Sequence, residues 1–549
     1  MNRIVTAFIV LCCSSLHIFA ADSVTVDLYH EHQTILANGI NFEGYHRRGG
    51  NEVIASKFNT MLDDLNSQLL RVGMPLEEWE PSNDNNDPGT FNWSGFKSTS
   101  GVVNSFKRLQ TLHDRGYDLW CAIWDVADWN VKNPSDGSAR RLKNIDEFVE
   151  AVCAYLYQLK EEYGVELTYV SVNEPSIAEE NGWGGYQIAL SPEEQADIIL
   201  KGGKRFEEMG IHTKWLIALH KVYPSELKQA QQIYNTPGVI DYIGGFDFHG
   251  YWWQEGHDAE LAAWGEWTST TGLPNIAGEC DYDNQFWKRD DRHLWSHGIE
   301  TGKLLYKMYT VARAEGSLLW YGDAPTSNRP YRFANKHFYE FMNPGSIILE
   351  SASTSSSVQV TAFKHVQHDK FAVILQNNSS SARDITLTGL PPKTMQWIES
   401  KSGSYYKTVD SNLTPDNGTL TLTLAGNSIN TIHGAGGGTP TAEFSIEPNI
   451  GLPPLEVTFD ASASSDPQGT AIETYTWDFD DGTTETTTNP IITHTFETSG
   501  TYRVSLDIIN AEGEKATATG IVYASGKAEI RSTDKTPMTD EMHVDVDET

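Results

Sequence analysis

The sequence predicts an α/β chain: a (β/α)8 TIM barrel, an attached β-sandwich, and a C-terminal immunoglobulin-like β-sandwich module. Three observations predict this. Between about residues 38 and 321, eight short apolar runs alternate with amphipathic helical stretches, the count and length of a closed (β/α)8 barrel. After residue 345 the pattern changes to alternating apolar and polar residues, the mark of half-buried strands. After the glycine-rich stretch "GAGGGTPT" (434–441), which reads as a flexible linker, a second series of alternating strands begins. A chain of 549 residues also exceeds what one hydrophobic core supports.

Taken in order, residues 1–21 read as a signal peptide. Met1-Asn2-Arg3 supplies a positive start, Ile4 to Ala20 is apolar, and small residues mark cleavage near Ala20 or Ala21. The expected localisation is therefore secreted, extracellular or periplasmic. The apolar run is short for a membrane span, and no later segment reaches spanning length. Residues 22–37, with "SVTVDLY" at 23–29, form an N-terminal strand that lies outside the barrel count and joins the β-sandwich. Residues 38–343 form the barrel. Its strand candidates are "GINFEG" (39–44), "QLLRVG" (68–73), "LWCAIW" (119–124), "LTYVSV" (167–172), "KWLIAL" (214–219), "YIGGFDFHG" (242–250), "PNIAGE" (274–279) and "SLLWYG" (317–322). Helical patterns lie between them, such as 144–163 and 191–209, the latter opening on Ser191-Pro192-Glu193-Glu194, a strong helix start. No glycine-rich phosphate turn follows the first strand, which argues against a doubly wound nucleotide-binding sheet. Residues 344–433 read as an antiparallel β-sandwich, 442–525 as a further β-module, and 526–549 as a polar disordered tail.

Composition excludes several partners. Forty Lys+Arg against 74 Asp+Glu give a net charge of −34, which repels nucleic acid and anionic membranes. Sixteen Trp and 23 Tyr provide flat faces, and with nucleic acid excluded these suit sugars. After cleavage three cysteines remain, Cys121, Cys153 and Cys280; an odd number without CxxC spacing predicts buried free thiols rather than disulfides or a zinc site.

In a (β/α)8 barrel the reactive groups sit at the C-terminal ends of the strands. Those ends carry Glu43 and Tyr45; Arg71; Trp124, Asp125 and Trp129; Asn173 and Glu174; His220; His249, Tyr251 and Trp252; Glu279; and Trp320. Each alone has a structural reading, but together they converge on one rim. Glu174 interrupts the β-branched run "YVSVNEPS" (169–176), where Pro175 forbids further ladder pairing. Two glutamates on the fourth and seventh strands face each other across the barrel mouth, the pair that glycoside cleavage requires. One carboxyl protonates the leaving oxygen and the other attacks the anomeric carbon. Asn173 can bond a sugar 2-hydroxyl, Tyr251 can orient the nucleophile, and Arg71 can give Glu279 a charge-assisted hydrogen bond. No cofactor and no metal is needed, since both reactive groups are carboxyls.

"SVNEP" at a fourth strand and a "GE" strand end 105 residues later resemble the clan A glycoside hydrolases. The attached sandwich, the N-terminal strand, the junction "MNPGSIILESAS" (342–353) and the closing "NSINTIHG" (427–434) resemble glycoside hydrolase family 30. The resemblance spans about residues 23 to 434. It implies retention of configuration, with Glu174 as acid/base and Glu279 as nucleophile. The module at 442–525 resembles the polycystic-kidney-disease (PKD) domain, its signature turn being Trp477-Asp478-Phe479-Asp480-Asp481-Gly482. That turn reads as an Asp-Gly hairpin in preference to a Ca²⁺ site.

For the substrate, basic residues stand out against the acidic background. His46-Arg47-Arg48 follows the first strand, Lys288-Arg289 and Arg292-His293 the seventh, and Arg329 and Arg332 the eighth. These loops are neighbours around a closed barrel, so the clusters share one side of the rim and are candidates to contact sulfate or uronate, with ordinary ion pairing as the alternative. Trp79, Trp93, Trp124, Trp129, Trp183, Trp252, Trp253 and Trp287 are candidate sugar platforms, about half of them expected in the core. The sequence thus predicts a secreted, monomeric, retaining endo-β-glycosidase acting on a wall polysaccharide. The ranked substrates are a galactan (agar, porphyran or β-1,6-galactan), then glucuronoxylan, then a β-glucan. The alternative from another class is a non-catalytic carbohydrate-binding protein on the same scaffold.

Overall fold

The computed structural model describes residues 21–41, 62, 65–132, 140–172, 188–219, 222, 224–251, 256–281, 293–320, 330–365, 370–434, 440–466, 471–511 and 515–524. The chain divides into two compact units, the second formed mostly by the residues after 436. The first unit opens on β1 (Asp22–Thr34), followed by the barrel strands β2 (Ala37–Asn41), β3 (Leu69–Gly73) and β4 (Asp118–Ile123). A short β5 (Arg140–Arg141) precedes β6 (Tyr169–Val172), and a short β7 (Ile188–Ala189) precedes β8 (Lys214–Ala218). The barrel continues with β9 (Ile243–His249), β10 (Asn275–Cys280) and β11 (Gly316–Trp320). The eight barrel strands close in the order β2-β3-β4-β6-β8-β9-β10-β11, each parallel to its neighbours, and β5 pairs with β7 outside them. The first strand begins at Ala37, one residue before the barrel boundary expected from the sequence, and its described part ends at Asn41.

Barrel strands are covered on both faces, which is why they read as unbroken apolar runs. Inside, Ala37, Leu69, Trp120, Tyr169, Leu216, Ile276 and Leu318 form one buried cluster contributed by seven of the eight strands. Outside, residues such as Leu70, Cys121, Val170 and Ile217 pack against the helices. The helix Ile145–Tyr163 starts on Asn144, whose side chain accepts from the Asp146 N–H, and stops at Gly164 in the left-handed region. Helix Pro192–Glu208 carries a complete capping box between Ser191 and Glu194. All three described cysteines are buried free thiols.

β10 departs from ideal alternation. Ala277 stands opposite Phe248 and Glu279 opposite His249, so β10 carries one extra residue, a bulge. Gly278 occupies it. A Cβ there would come within 2.1 Å of a Trp120 ring carbon and 2.2 Å of Asp247 Oδ1, so only glycine fits.

The second part of this unit is one nine-stranded sheet coiled around its own core, not a purely antiparallel sandwich. β1 pairs antiparallel with β12 (Ile347–Ser353) on one side and parallel with β15 (Arg383–Thr388) on the other, joining the two layers. The remaining strands are β13 (Val358–His365), β14 (Lys370–Asn377), β16 (Met395–Lys401), β17 (Ser404–Leu413), β18 (Thr419–Leu424) and β19 (Ser428–Gly434). The parallel pairing arises because the chain's first strand enters between strands made some 330–360 residues later. The barrel's last helix, Pro330–Tyr339, docks on this sheet. Its His337 is fully buried, with ring nitrogens 2.8 Å from Thr431 Oγ1 and 2.8 Å from Ser400 Oγ.

The second unit stacks a three-stranded sheet on a five-stranded one around Trp477, Phe459, Phe479 and Phe496. The acidic turn holds Asp480 and Gly482 at positive φ; Asp480 accepts from the Arg503 N–H, and Asp481 from Thr483 and His494. The turn's carboxylates therefore serve the hairpin. Among the described residues, no helix is long and apolar enough to cross a membrane.

Two stability predictions result. Burial pushes the His337 imidazole from 6.5 down to about 3. Below pH 6.5 the unfolded chain takes up a proton that the fold refuses, so stability falls with pH between these values. The expected loss from this group is about 2 kcal/mol between pH 7 and pH 5. In His337→Gln the free energy of denaturant unfolding should fall less over that interval, although its value at pH 7 is lower. Equal slopes for the two proteins would contradict the assignment. Gly278→Ala should cost about 1–3 kcal/mol through overpacking, read as a lower denaturant midpoint with an unchanged m-value.

Candidate active site

The C-terminal mouth of the barrel is organised around Glu279, which is 7% exposed. The bulge at Gly278 shifts the alternation of β10, so that consecutive residues 278 and 279 both meet groups inside the barrel. Three donors from three other segments reach the carboxylate. Arg71, in β3, donates from Nη1 to Oε2 at 2.8 Å. Asn41, at the end of β2, donates from Nδ2 to the same oxygen at 3.3 Å. Tyr251, two residues past β9, donates its hydroxyl to Oε1 at 2.8 Å. His249 Nε2 lies 3.8 Å from Oε2.

Arg71 is itself fully buried and fixed from several directions. Its Nη2 lies 4.0 Å from Asp247 Oδ2, and its Cζ stands 4.9 Å from the Trp120 ring centroid and 4.7 Å from that of Trp124. Two carboxylates thus flank one guanidinium whose faces are covered by indoles, an arrangement a lysine's point charge would not reproduce. Trp120, the deepest of these rings, donates to Ser171 Oγ at 2.9 Å and floors the site. Trp320 pairs in register with Asn41, which places it in the same layer of the mouth.

The structure therefore brings together Arg71, Trp124, His249, Tyr251 and Glu279, with Trp320 alongside. Asn173 and Glu174 lie outside the described residues, directly beyond the last residue of β6, Val172. Arg47, Trp252, Glu43, Tyr45 and His220 also lie outside them, as do Trp183, Trp253, Trp287, Lys288, Arg289, Arg292 and Arg329. Of the basic rim residues, His293 and Arg332 are described, the first exposed and the second half-buried.

Trp129 sits in a different setting. It lies in the loop after β4, and its indole N–H donates to the Glu80 carbonyl at 2.8 Å, fastening that loop to the one after β3. In the same loop Asp125 is bound by Arg140, 2.5 Å from Nε; burial nonetheless pushes its carboxyl up to about 6. Trp79 is a core residue, 2% exposed and donating to the Ala151 carbonyl, so it is no sugar platform; Trp93 is 43% exposed.

Two residues of the cluster are missing from the sequence reading. Asn41 is absent from a reading that takes Glu43 and Tyr45 from the first strand, residues that lie outside those described. Asp247 lies two residues before the strand end in "FDFHG", where a buried Asp between aromatic residues was itself the signal.

Comparison with known proteins places this architecture. Residues 438–523 match the family model of the PKD domain. A microbial collagenase of Vibrio alginolyticus is 44% identical over 69 residues, 13% of this chain, and the chain spans only 8% of that protein. The fold is similar to that of a glycoside hydrolase family 30 endoxylanase from Clostridium papyrosolvens C71, with a TM-score of 0.58 at 17% identity over 75% of this chain and 99% of that one. The catalytic domain of xylanase C from Talaromyces cellulolyticus, also of family 30, matches with the same score, identity and coverage. A family 44 xyloglucanase from Paenibacillus polymyxa matches at a TM-score of 0.50 and 12% identity, over 75% of this chain and 99% of that one. The chain thus joins a barrel-and-sheet fold of the kind seen in family 30 glycoside hydrolases to a C-terminal PKD domain.

Proposed function

We propose that this protein is a secreted, retaining endo-β-glycosidase that hydrolyses a wall polysaccharide by double displacement. The observation that carries the reading is the Glu279 carboxylate, buried at the barrel mouth and held by Arg71, Asn41 and Tyr251. A nucleophilic carboxylate must be aimed before substrate arrives, and three donors on a closed sheet achieve this. Oε2 takes two donors, one of them charged, whereas Oε1 takes only the neutral Tyr251 hydroxyl. Oε1 is therefore the attacking oxygen in this proposal, with Tyr251 holding its line of approach. Glu174 protonates the leaving oxygen and later activates the water that releases the glycosyl-enzyme. Asn173 bonds the sugar 2-hydroxyl, while Trp124, Trp252 and Trp320 line the subsites with His249.

The substrate ranked first is a galactan (agar, porphyran or β-1,6-galactan), and the basic loops after strands one, seven and eight of a chain carrying −34 would contact sulfate or uronate groups on it. Glucuronoxylan and β-glucans come next, and the likeness to two xylanases and a xyloglucanase supports them. A PKD domain behind the barrel fits a polymer better than a small glycoside.

Purified protein on a polysaccharide panel, with product sizing, is the direct test; binding without turnover would replace the enzyme by the non-catalytic reading. Glu279→Ala should lower kcat by at least about 10³-fold on an activated aryl glycoside, and azide should restore turnover. In Glu174→Ala azide should instead attack the glycosyl-enzyme and displace Glu279, giving a glycosyl azide of retained configuration where Glu279→Ala gives the inverted one. Changing Arg47, Arg289 and Arg329 to Ala should depress cleavage of anionic glycans more than of neutral ones; an unchanged ratio removes the anionic-substrate reading.

A further inference from the structure

A second group of carboxylates lies away from Glu279. Glu80 follows the short helix Leu76–Trp79, Asp84 lies in the loop after it, and Glu147 and Glu150 occupy one face of helix Ile145–Tyr163, three residues apart. One oxygen each from Glu80, Asp84 and Glu147 falls within 4.8 Å of the others. Glu80, Glu147 and Glu150 are 2%, 3% and 0% exposed. Glu150 lies beside Glu147, within reach of a hydrogen bond should a proton be present, and feels the charge of Asp84.

The second observation is the state of their oxygens. Asp84 Oδ2 accepts from the Asn92 N–H at 2.7 Å, and one Glu80 oxygen accepts from the Asp84 N–H at 3.2 Å. By contrast Asp84 Oδ1, Glu147 Oε2 and both oxygens of Glu150 are buried without a donor among the described residues. Buried acceptors without donors cost free energy, and four of them lie close together here. Arg205, whose positive charge acts on Glu150, has its guanidinium over the Phe91 ring at 4.4 Å and bonds the Pro88 carbonyl.

We infer that Glu80, Asp84, Glu147 and Glu150 form a structural Ca²⁺ site that clamps the loop after β3 to helix Ile145–Tyr163. Hard carboxylate oxygens in this number, with mono- and bidentate options, suit Ca²⁺ better than Zn²⁺ or Mg²⁺. The loop is packed tightly at this point, since a Cβ on Gly95 would lie 2.2 Å from Asp84 Cβ. Because Trp129 bonds the Glu80 carbonyl, the ion would also steady the loop after β4. The competing account is protonation: without a cation, burial pushes Glu80 up to about 8 and Glu150 up to about 9.

The two accounts separate in the intact protein, measured at pH 8 without substrate. After EDTA treatment and dialysis, 1 mM Ca²⁺ should raise the Tm of the wild type by roughly 5 °C. Tb³⁺ should show luminescence sensitised by the indole of Trp79, adjacent to Glu80, and Ca²⁺ should quench it by displacement. In Glu147→Gln/Glu150→Gln the Ca²⁺ shift and the Tb³⁺ signal should both be lost, while its Tm in EDTA should equal or exceed that of the wild type. That last reading shows the variant to be folded and isolates loss of binding from loss of structure. A wild type whose Tm is the same in EDTA and Ca²⁺, or a double variant that keeps the full shift, overturns the inference.

Discussion

Arg71 and Glu279 meet 2.8 Å apart with the guanidinium wholly buried, and the barrel mouth is arranged around the requirements of that contact. A charge removed from water is tolerated only when partners replace its hydration, and a single opposite charge does not suffice. Here Asp247 supplies a second carboxylate 4.0 Å away, while the Trp120 and Trp124 rings cover the guanidinium. Asn41 and Tyr251 complete the shell on the glutamate side. Removing either charged partner would strand the other, so the pair contributes more to the specificity of this arrangement than to net stability.

That contact explains features far from it. Glu279 can face Arg71 only if β10 breaks its alternation, which demands the bulge; the bulge brings residue 278 against Trp120 and Asp247, which demands glycine. Trp120 in turn must be held, and Ser171 on the neighbouring strand accepts its indole N–H. A chain of local necessities thus runs from one ion pair through a backbone irregularity to a serine on another strand. After β11, the neighbour of β10, helix Pro330–Tyr339 passes the framework to the nine-stranded sheet through His337, a neutral imidazole bridging two hydroxyls.

Much of this was legible in the sequence because the physics acting on it is short-range. Strands buried on both faces need unbroken apolar runs, so all eight barrel strands were visible, and Ser191-Pro192-Glu193-Glu194 announced a capping box that the structure contains. Arg71, Tyr251 and Glu279 were legible because the fold puts strand ends in one place. What escaped depended on single-residue register. Attention to Glu43 and Tyr45 on the first strand leaves Asn41 unmarked, and a bulge leaves no mark on periodicity beyond a glycine with many other meanings. The parallel pairing of β1 with β15 was invisible for another reason, since strands more than 350 residues apart in the chain pair by topology rather than by any local pattern.

The acidic surplus of the chain gains meaning from how buried carboxylates are treated in two places. At the mouth, Arg71, built into the sheet, lies 2.8 Å from Glu279 and 4.0 Å from Asp247. At the loop after β3, Asp84 Oδ1, Glu147 Oε2 and both Glu150 oxygens are buried without a donor among the described residues, although a single Lys on that helix face would have served. A buried lysine would give a fixed structure at all times. An exchangeable cation makes the structure conditional on the ion content of its surroundings. The loop would then remain loose where the cation is scarce and tighten where it is abundant. The two clusters thus treat the same residue type differently: Glu279 is met by three donors, whereas four oxygens of Asp84, Glu147 and Glu150 are buried without a donor among the described residues.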